Sequence, residues 1–264
     1  MNLNGLAVVN IELTNACNKN CFMCGRRKAE RDYPDLFKSY NKVIDWTVLK
    51  ILAEEIPSDI VIQFHNNGEP LLYPRLGEAL DLFPNNIKCF NTNGKLLLEK
   101  ADEIIDKLDT LTISVIQDDP DGDAQYETVT KFLALKKDKK PYMVYRVLGN
   151  VAQSRWLELP GLVCTRILHS PMGSYNYTRK VTKPEIGVCL DLLNHCAIDV
   201  EGNVSICVRF DPNKYGVLGN IKHCSLEKLW NSVVRKNLIR EHLKGNRAAN
   251  KLCEQCHFYG VPTS

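Results

Sequence analysis

The densest group of reactive side chains is a set of three cysteines within eight residues. Cys17, Cys21 and Cys24 have the spacing C-x3-C-x2-C. Thiolates are soft ligands, and three of them on one short loop can hold three corners of a four-iron cluster. The fourth iron then has no protein ligand and can bind a cofactor, just as an open position distinguishes catalytic from structural zinc. The spacing therefore predicts an iron–sulfur cluster with one open iron.

Two other interpretations of this loop are open. A zinc knob would need a fourth ligand, and no histidine follows at the usual spacing. Reactive or merely buried cysteines would need no metal at all.

A second set of cysteines lies toward the end of the chain. Cys189, Cys207 and the pair Cys253 and Cys256 are four thiols, which is enough to close a metal site completely. By spacing alone, zinc and an iron–sulfur cluster are comparable interpretations of this set. Cys196 competes with Cys189 for the first ligand position.

Composition narrows the class of protein. The 264 residues include eleven cysteines, which in a reducing compartment are thiols that suit metal binding better than a disulfide framework. Cys89, Cys164 and Cys224 stand alone, and we expect them to be small buried apolar residues. A formal charge of +3 gives no reason to expect nucleic acid or an anionic membrane as a partner. With no apolar run of membrane-spanning length and no signal peptide, we expect a cytoplasmic protein.

Short β-rich segments alternate with amphipathic segments from residue 7 to about residue 169, as in repeated βα units around a parallel sheet. Six such units are two short of a closed barrel. The fold class is therefore predicted as α/β, with a partial (β/α)6 TIM-like barrel whose site lies at the C-terminal ends of the strands. The predicted strands are 7–13, 59–64, 87–92, 110–116, 142–148 and 161–169, and the predicted helices lie near 45–56, 75–83, 95–107 and 123–138.

The first strand alternates apolar with polar residues, which predicts a polar lumen inside the barrel. Beyond about residue 180 the pattern changes. Residues 196–207 are predicted to form a hairpin, and residues 225–243 one helix with Ser225 as its N-cap. We expect a barrel domain over residues 1–180 and a small C-terminal domain over residues 181–264.

The C-x3-C-x2-C motif after the first strand of a partial barrel resembles the radical S-adenosylmethionine superfamily. The resemblance implies that Cys17, Cys21 and Cys24 bind a [4Fe–4S] cluster whose free iron takes the amino and carboxylate groups of S-adenosylmethionine. One electron, from a flavodoxin- or ferredoxin-type reductant, then cleaves the sulfonium. The 5′-deoxyadenosyl radical formed abstracts a hydrogen atom from the substrate.

The same resemblance implies further cofactor contacts. Gly68, Glu69 and Pro70 resemble the family's GGEP-like motif, which meets the amino group of the methionine moiety, although such a tripeptide also forms ordinary turns. Met23 stands where the family usually has an aromatic residue near the adenine, and Phe22 precedes it.

Three residues on later strands complete the expected cofactor site. Asn93 belongs to a TNG segment that resembles the one at the family's barrel mouth, although it also suits the start of a helix. Ser114 and Arg146 lie where relatives hold the ribose and the methionine carboxylate, and a guanidinium pairs well with a carboxylate. An arginine in a strand can equally be a residue at the rim.

The C-terminal cysteine pattern resembles the twitch domain, a shortened form of the SPASM domain. It implies a second, auxiliary [4Fe–4S] cluster on Cys189, Cys207, Cys253 and Cys256, and because only eight residues follow Cys256 we expect one such cluster at most. The layout resembles that of the twitch-containing 2-deoxy-scyllo-inosamine dehydrogenases. We therefore expect oxidation of a small polar substrate such as a sugar or cyclitol, with the auxiliary cluster as electron acceptor.

Two other functions are open. A peptide-modifying maturase of the same superfamily would oxidise, epimerise or cross-link a peptide. Many such maturases carry an added peptide-recognition domain, and because the first strand is predicted to begin by residue 7, we expect no room for one before it. A non-catalytic iron–sulfur or zinc module would bind metal without cleaving the cofactor.

Candidate substrate contacts rest on position alone. His65 and His169 end the second and sixth strands, and Arg179 follows. Each can hydrogen-bond a substrate, but a lone histidine is commonly just a satisfied polar residue. The acidic residues between 118 and 123 are expected to form a solvated loop. The remaining histidines, which could in principle ligate metal although the thiols suffice, are His195, His223, His242 and His257.

Overall fold

One nine-stranded mixed sheet organises the protein. The computed structural model describes residues 2–166, 187–254 and 256. The strand order across the sheet is β6-β5-β4-β3-β2-β1-β7-β8-β9. The strands are β1 (Val8–Ile11), β2 (Val61–Gln63), β3 (Lys88–Thr92), β4 (Thr110–Ile116), β5 (Tyr142–Leu148), β6 (Leu162–Thr165), β7 (His195–Ile198), β8 (Asn203–Ser205) and β9 (Val217–Asn220).

The first six strands confirm the predicted parallel βα pattern. Each pairs in parallel with the next strand along the chain, from β1 with β2 to β5 with β6. All six predicted strands are present, mostly with tighter bounds than predicted. Parallel pairing brings their C-terminal ends to one edge, where the loops that carry functional residues meet.

Ten α-helices lie within the described residues. They are α1 (Gly25–Asp32), α2 (Pro34–Phe37), α3 (Trp46–Glu55), α4 (Leu76–Asp81), α5 (Ala101–Ile104), α6 (Gly122–Lys136), α7 (Leu190–Asn194), α8 (Leu226–Trp230), α9 (Val233–Leu243) and α10 (Lys251–Glu254). The N-cap of α3 is Asp45, which accepts a hydrogen bond from the Thr47 N–H at 2.7 Å.

Two helix predictions were wrong in extent. Within 95–107 only α5 is an α-helix, because turns precede it, as in the 3.2 Å bond from the Leu97 N–H to the Gly94 carbonyl. The helix predicted over 225–243 is divided into α8 and α9. Ser232 has extended backbone angles and its hydroxyl accepts from the Arg235 N–H, so it acts as an N-cap that starts a new helix.

The polar lumen is confirmed by the two faces of β1. Val9 and Ile11 are fully buried against the helices, whereas Asn10 points to the other face and donates a 2.8 Å hydrogen bond to the His65 carbonyl. His65 also lies within electrostatic reach of Arg146 on β5 and of Arg166 after β6. Strands this far apart in the order can share a lumen only if the sheet curves.

The C-terminal segment continues the same sheet. Strand β7 pairs in parallel with β1, and β7, β8 and β9 then run antiparallel. The predicted hairpin is confirmed: Asp199 accepts hydrogen bonds from the N–H groups of Glu201 and Asn203, and Gly202 has a φ of +88°. The domain boundary at residues 180 and 181 lies outside the described residues and stays a prediction.

Among the described residues, the helices are all too short or too polar to cross a bilayer.

Candidate metal centres and cofactor site

The three N-terminal cysteines lie on the loop that leaves the C-terminal end of β1. All three are partly exposed, and Cys24 forms the N-cap of α1. Burial raises the pKa of the Cys21 thiol to about 11, and the charges of Cys24 and Cys17 add to that rise. Electrostatic contact of this kind requires the three sulfurs to be close together. The donor set and its grouping on one loop therefore fit an iron–sulfur cluster.

Gly68 allows the segment that follows β2 to pack directly on the cysteine loop. The Glu69 N–H donates to the Ala16 carbonyl at 2.8 Å. A Cβ atom on Gly68 would lie 1.9 Å from the carbonyl oxygen of Thr14 and 2.7 Å from that of Ala16. Only glycine permits this approach of two backbones, so the motif supports the loop that carries Cys17.

We expect Gly68→Ala to lower the free energy of unfolding by about 3 kcal/mol or more, because the added methyl must displace backbone carbonyls. Urea unfolding followed by circular dichroism measures this. Gly122→Ala is the matched control, since its Cβ would have its nearest neighbour at 3.9 Å. We expect the control to change stability by less than about 1 kcal/mol. Equal losses in the two variants would contradict the close approach.

The Glu69 carboxylate joins the ends of β2 and β3. It accepts hydrogen bonds from the Thr92 hydroxyl at 2.6 Å and from the N–H groups of Asn93 and Leu71. Burial raises the pKa of Glu69, whereas the hydrogen bonds from these donors stabilise its anion and oppose that rise. Because three donors of the chain itself satisfy this carboxylate, it positions Asn93. Pro70 is buried and begins the 3-10 helix Pro70–Leu72.

Asn93 connects β3 to the cysteine loop. Its Nδ2 donates to the Asn18 side chain at 2.8 Å and lies 3.9 Å from the Cys17 sulfur. Sequence reasoning missed Gln125, a buried amide on α6 that donates to the backbone carbonyls of Asn93 and Ser114. The sequence held one signal for this residue: Gln125 is a polar residue that occurs at the same helical spacing as the buried positions of α6.

Ser114 and Arg146 are register partners on β4 and β5. Arg146 pairs in turn with Cys164 on β6, so both predicted cofactor residues lie on the lumen face. Cys164 is thus a lumen residue and not the core residue we expected. Burial lowers the pKa of the Arg146 guanidinium. These positions suit an anionic group in the lumen, and the assignment of Ser114 and Arg146 to S-adenosylmethionine stays a prediction.

Arg166 is a second lumen arginine, which sequence reasoning missed. Its N–H donates to the Val147 carbonyl at 2.8 Å directly after β6. Burial lowers its pKa, as does the charge of Arg146, while Cys21 and Cys24 act in the opposite direction. Arg166 therefore lies between the other lumen arginine and the cysteine loop. Its position at a strand end was the only signal in the sequence.

His65 is a neutral lumen residue. Its Nδ1 accepts a hydrogen bond from the Asn91 N–H at 3.3 Å, which leaves Nε2 to carry the proton. Burial lowers its pKa to about 3, and the charges of Arg146, His195 and Arg166 contribute. At neutral pH His65 can donate a hydrogen bond but carries no charge. The other two candidates, His169 and Arg179, lie outside the described residues.

Met23 and Phe22 face opposite ways. Met23 is 6% exposed, whereas Phe22 is 57% exposed. Of the two, Met23 is therefore the one in a position to fill space inside the site, as predicted for the adenine contact.

The acidic run after β4 is not simply a solvated loop. Asp119 forms an ion pair with Lys19, and both side chains are 9% exposed. Lys19 lies between Cys17 and Cys21 in the sequence, so this pair ties the cysteine loop to the segment before α6. The expectation of a solvated loop was wrong for Asp119, since a charge pattern cannot reveal a partner about a hundred residues away.

The four C-terminal thiols line one cavity, together with Asp191, Leu192, Ile206, Arg209, His242 and Leu252. The four are Cys189, Cys207, Cys253 and Cys256. Burial raises the pKa of Cys253 to about 12 and also raises the pKa values of Cys189 and Cys207. Cys196 is instead fully buried in the main core, so the placement favours Cys189 as the first ligand.

The hydrophobic core around this cavity is small. Its buried members, among the residues described, are Leu192, Ile206 and Leu238. So few apolar side chains give the surroundings of this cavity little hydrophobic stabilisation of their own, which a bound metal or cluster would supplement. Four thiols around one cavity fit an iron–sulfur cluster. Within the described ranges, no three His, Cys, Asp or Glu side chains are arranged to hold a single metal ion.

A cleft of about 150 Å³ separates the barrel rim from the C-terminal hairpin. Cys207 and Arg209 line both this cleft and the cysteine cavity. On the barrel side lies Glu12, a buried carboxylate that accepts hydrogen bonds from Asn67 at 3.0 Å and from the Val200 N–H at 3.3 Å. Burial raises the pKa of Glu12. The cleft is thus adjacent to the second cysteine set.

Comparison with known proteins matches the C-terminal segment to a sequence family and the whole chain to solved structures. Residues 189–257 match the SPASM family, an iron–sulfur cluster-binding domain. No curated protein sequence matches the chain.

The structure of BtrN in complex with AdoMet and 2-DOIA has a TM-score of 0.70 at 20% identity, covering 98% of this chain and 95% of BtrN. Native anSMEcpe with bound AdoMet has a TM-score of 0.61 at 13% identity, covering 89% of this chain and 83% of that one. SuiB of Streptococcus suis bound to precursor peptide SuiA has a TM-score of 0.59 at 12% identity, covering 96% and 71%.

Fold and C-terminal sequence agree with the expectations. The chain shares the fold of BtrN and of anSMEcpe, both solved with AdoMet, which confirms the predicted fold class, and its residues 189–257 match an iron–sulfur cluster-binding domain, as the resemblance implied. In length and layout it is similar to BtrN, since the match covers nearly all of both chains.

Proposed function

We propose that this protein is a radical S-adenosylmethionine enzyme with two [4Fe–4S] clusters. Cys17, Cys21 and Cys24 hold the cluster that, with S-adenosylmethionine and one electron, supplies a 5′-deoxyadenosyl radical for hydrogen abstraction. The observation that carries this proposal is the grouping of three thiols on the loop after β1. The backbone of Gly68 and Glu69 packs against that loop and supports it.

The chain's own residues orient the cofactor. Asn93, which follows β3, lies against the cysteine loop at Cys17, and the hydrogen bond from its N–H to the Glu69 carboxylate fixes this position. Arg146 and Ser114 lie side by side on the lumen face, where a guanidinium and a hydroxyl can bind a carboxylate and a ribose. Met23 is buried beside Cys24 and fills the space near the adenine. These assignments follow from strand position and from the family resemblance.

The reaction we propose is dehydrogenation of a small polar substrate such as a sugar or cyclitol. The C-terminal cluster on Cys189, Cys207, Cys253 and Cys256 serves as the electron acceptor. Support comes from the cleft that Cys207 lines, which lies between the barrel rim and the second cysteine set. The similarity to BtrN, crystallised with AdoMet and 2-DOIA, favours the same substrate class. Neutral His65, in the lumen, is the candidate for a hydrogen bond to a substrate hydroxyl.

A second candidate function is modification of a peptide. It is favoured by the likeness to SuiB, whose structure contains the precursor peptide SuiA. Incubation with 2-DOIA in one arm and with peptides encoded beside this gene in the other separates the two functions by mass spectrometry. Loss of two hydrogens from 2-DOIA supports dehydrogenation, whereas a changed peptide mass supports the maturase.

The first test is whether the protein cleaves S-adenosylmethionine at all. We expect the anaerobically reconstituted, dithionite-reduced protein to form 5′-deoxyadenosine and methionine, measured by liquid chromatography with mass detection. Metal analysis in the same sample should give iron and sulfide. Zinc in place of iron, with no 5′-deoxyadenosine, would overturn the enzyme and leave a metal-binding module.

Two wider expectations belong to the proposal. A flavodoxin- or ferredoxin-type protein supplies the electron. None of the eleven cysteines, all of which lie within the described residues, forms a disulfide, which favours a reducing compartment such as the cytoplasm.

A further inference from the structure

Arg26 is a buried cation that follows the third cysteine of the loop by two residues. It is 6% exposed, and its guanidinium donates a hydrogen bond to the Asn15 carbonyl. Among the described residues, no carboxylate forms an ion pair with it. Its neighbours differ in this respect: Arg27 pairs with Glu30 at 2.5 Å, and Lys28 pairs with Asp32 at 2.6 Å.

Two aromatic rings hold the guanidinium of Arg26 in place. Its central carbon lies 5.6 Å from the ring centre of Phe37 and 5.1 Å from that of Tyr40. Cation–π contacts of this kind stabilise a desolvated cation and restrict its rotamers. In the part of the chain described here, the Nε atom of Arg26 has no hydrogen-bond partner. The side chain is therefore fixed in position but not neutralised.

Burying an uncompensated charge is costly, so a negative partner is expected nearby. The start of α1 gives a second, independent indication. Helices favour acidic residues in the first turn, yet α1 has none there, and its N-cap is Cys24. Both the helix N-terminus and Arg26 are thus adapted to negative charge on the cysteine loop. Thiolates bound to a cluster supply that charge.

We propose that Arg26 is the built-in counter-cation of the cluster held by Cys17, Cys21 and Cys24, and that it raises the reduction potential of this cluster. The inference rests on the proposed function, since it requires that cluster. Reduction adds one negative charge, and a fixed cation nearby stabilises the reduced form more than the oxidised form. The hydrogen bond from Arg26 to the Asn15 carbonyl, two residues before Cys17, places the guanidinium against the loop that carries the cluster ligands. Arg26 is a positioning residue, because it acts through the cluster.

The test is an EPR-monitored redox titration of reconstituted Arg26→Gln protein without substrate. We expect the ratio of reduced to oxidised cluster at a given potential to fall about tenfold, equal to about 59 mV for one electron. Arg27→Gln is the matched control, since it removes the same charge from the next residue, where Glu30 already compensates it. A change below twofold in Arg26→Gln, or an equal change in both variants, would overturn the proposal. The signal of the C-terminal cluster, recorded in a Cys17/Cys21/Cys24 alanine variant, is subtracted throughout.

Arg26→Lys covers the case in which Arg26→Gln does not assemble its cluster. Lysine keeps the charge but loses the planar group that contacts the rings of Phe37 and Tyr40. If Arg26→Lys holds iron with a nearly wild-type potential, the charge is what matters and the proposal stands. Loss of iron in both variants would show a purely structural role and overturn it. A wild-type protein without a cluster on these cysteines would instead overturn the proposed function, so the two failures are distinguishable.

Discussion

Replacing Cys17, Cys21 and Cys24 together by alanine is expected to abolish 5′-deoxyadenosine formation and to lower the iron content from about eight to about four atoms per chain. The reason is that all three predicted ligands of this cluster lie on the one loop after β1, and alanine removes every one of their thiols. The remaining iron should belong to the C-terminal site, where four other thiols line one cavity. Iron analysis, EPR spectra and detection of 5′-deoxyadenosine measure the effect.

Cys224→Ala is the control for this triple variant. Cys224 is packed against the main core and lies in neither cysteine group, so its replacement should leave iron content and cofactor cleavage unchanged. Retention of full iron content by the triple variant would contradict the assignment of the first site. Loss of all iron would indicate that the two sites assemble together.

Replacing Cys253 and Cys256 by alanine is expected to have the opposite pattern. The protein should lose the C-terminal cluster and again about half of its iron, yet still cleave S-adenosylmethionine to 5′-deoxyadenosine. We also expect unfolding of the C-terminal part to become easier by about 3 kcal/mol or more, because metal binding there supplements a small core. Among the residues described, only Leu192, Ile206 and Leu238 are buried in the core around that cavity.

Iron analysis, the 5′-deoxyadenosine assay without substrate, and thermal unfolding check this second prediction. Cys196→Ser serves as its comparison, since Cys196 is a fully buried cysteine of β7 that does not line the cavity. It should keep both clusters while losing some stability. If the Cys253/Cys256 variant stopped cleaving S-adenosylmethionine, the independence of the two sites would be refuted.

Much of the site was predictable because it depends on local sequence. The spacing of Cys17, Cys21 and Cys24 places three thiols on one loop whatever the rest of the chain does. The alternation in β1 predicted a polar lumen face, and the Gly68–Glu69 motif stands at a strand end as expected. Periodicity also located all six barrel strands.

Contacts between distant segments could not be predicted. The ion pair of Lys19 with Asp119 and the burial of Gln125 against two strand ends join elements far apart in sequence. A local pattern shows that a residue is charged or polar, but its partner is set by how the strands are ordered. The division of α8 from α9 was missed for a different reason, since Ser232 can either continue a helix or cap a new one.

The sequence by itself determined the chemistry: two groups of thiols, a parallel βα scaffold and a C-terminal hairpin. Only the tertiary structure decided which residues surround each group. It put Cys189 in the cavity with the other three thiols and Cys196 in the core, and it packed Arg26 against two aromatic rings beside the first loop. The physical reason is that ligand type and spacing are properties of a short segment, whereas burial and electrostatic environment arise only when distant segments pack together.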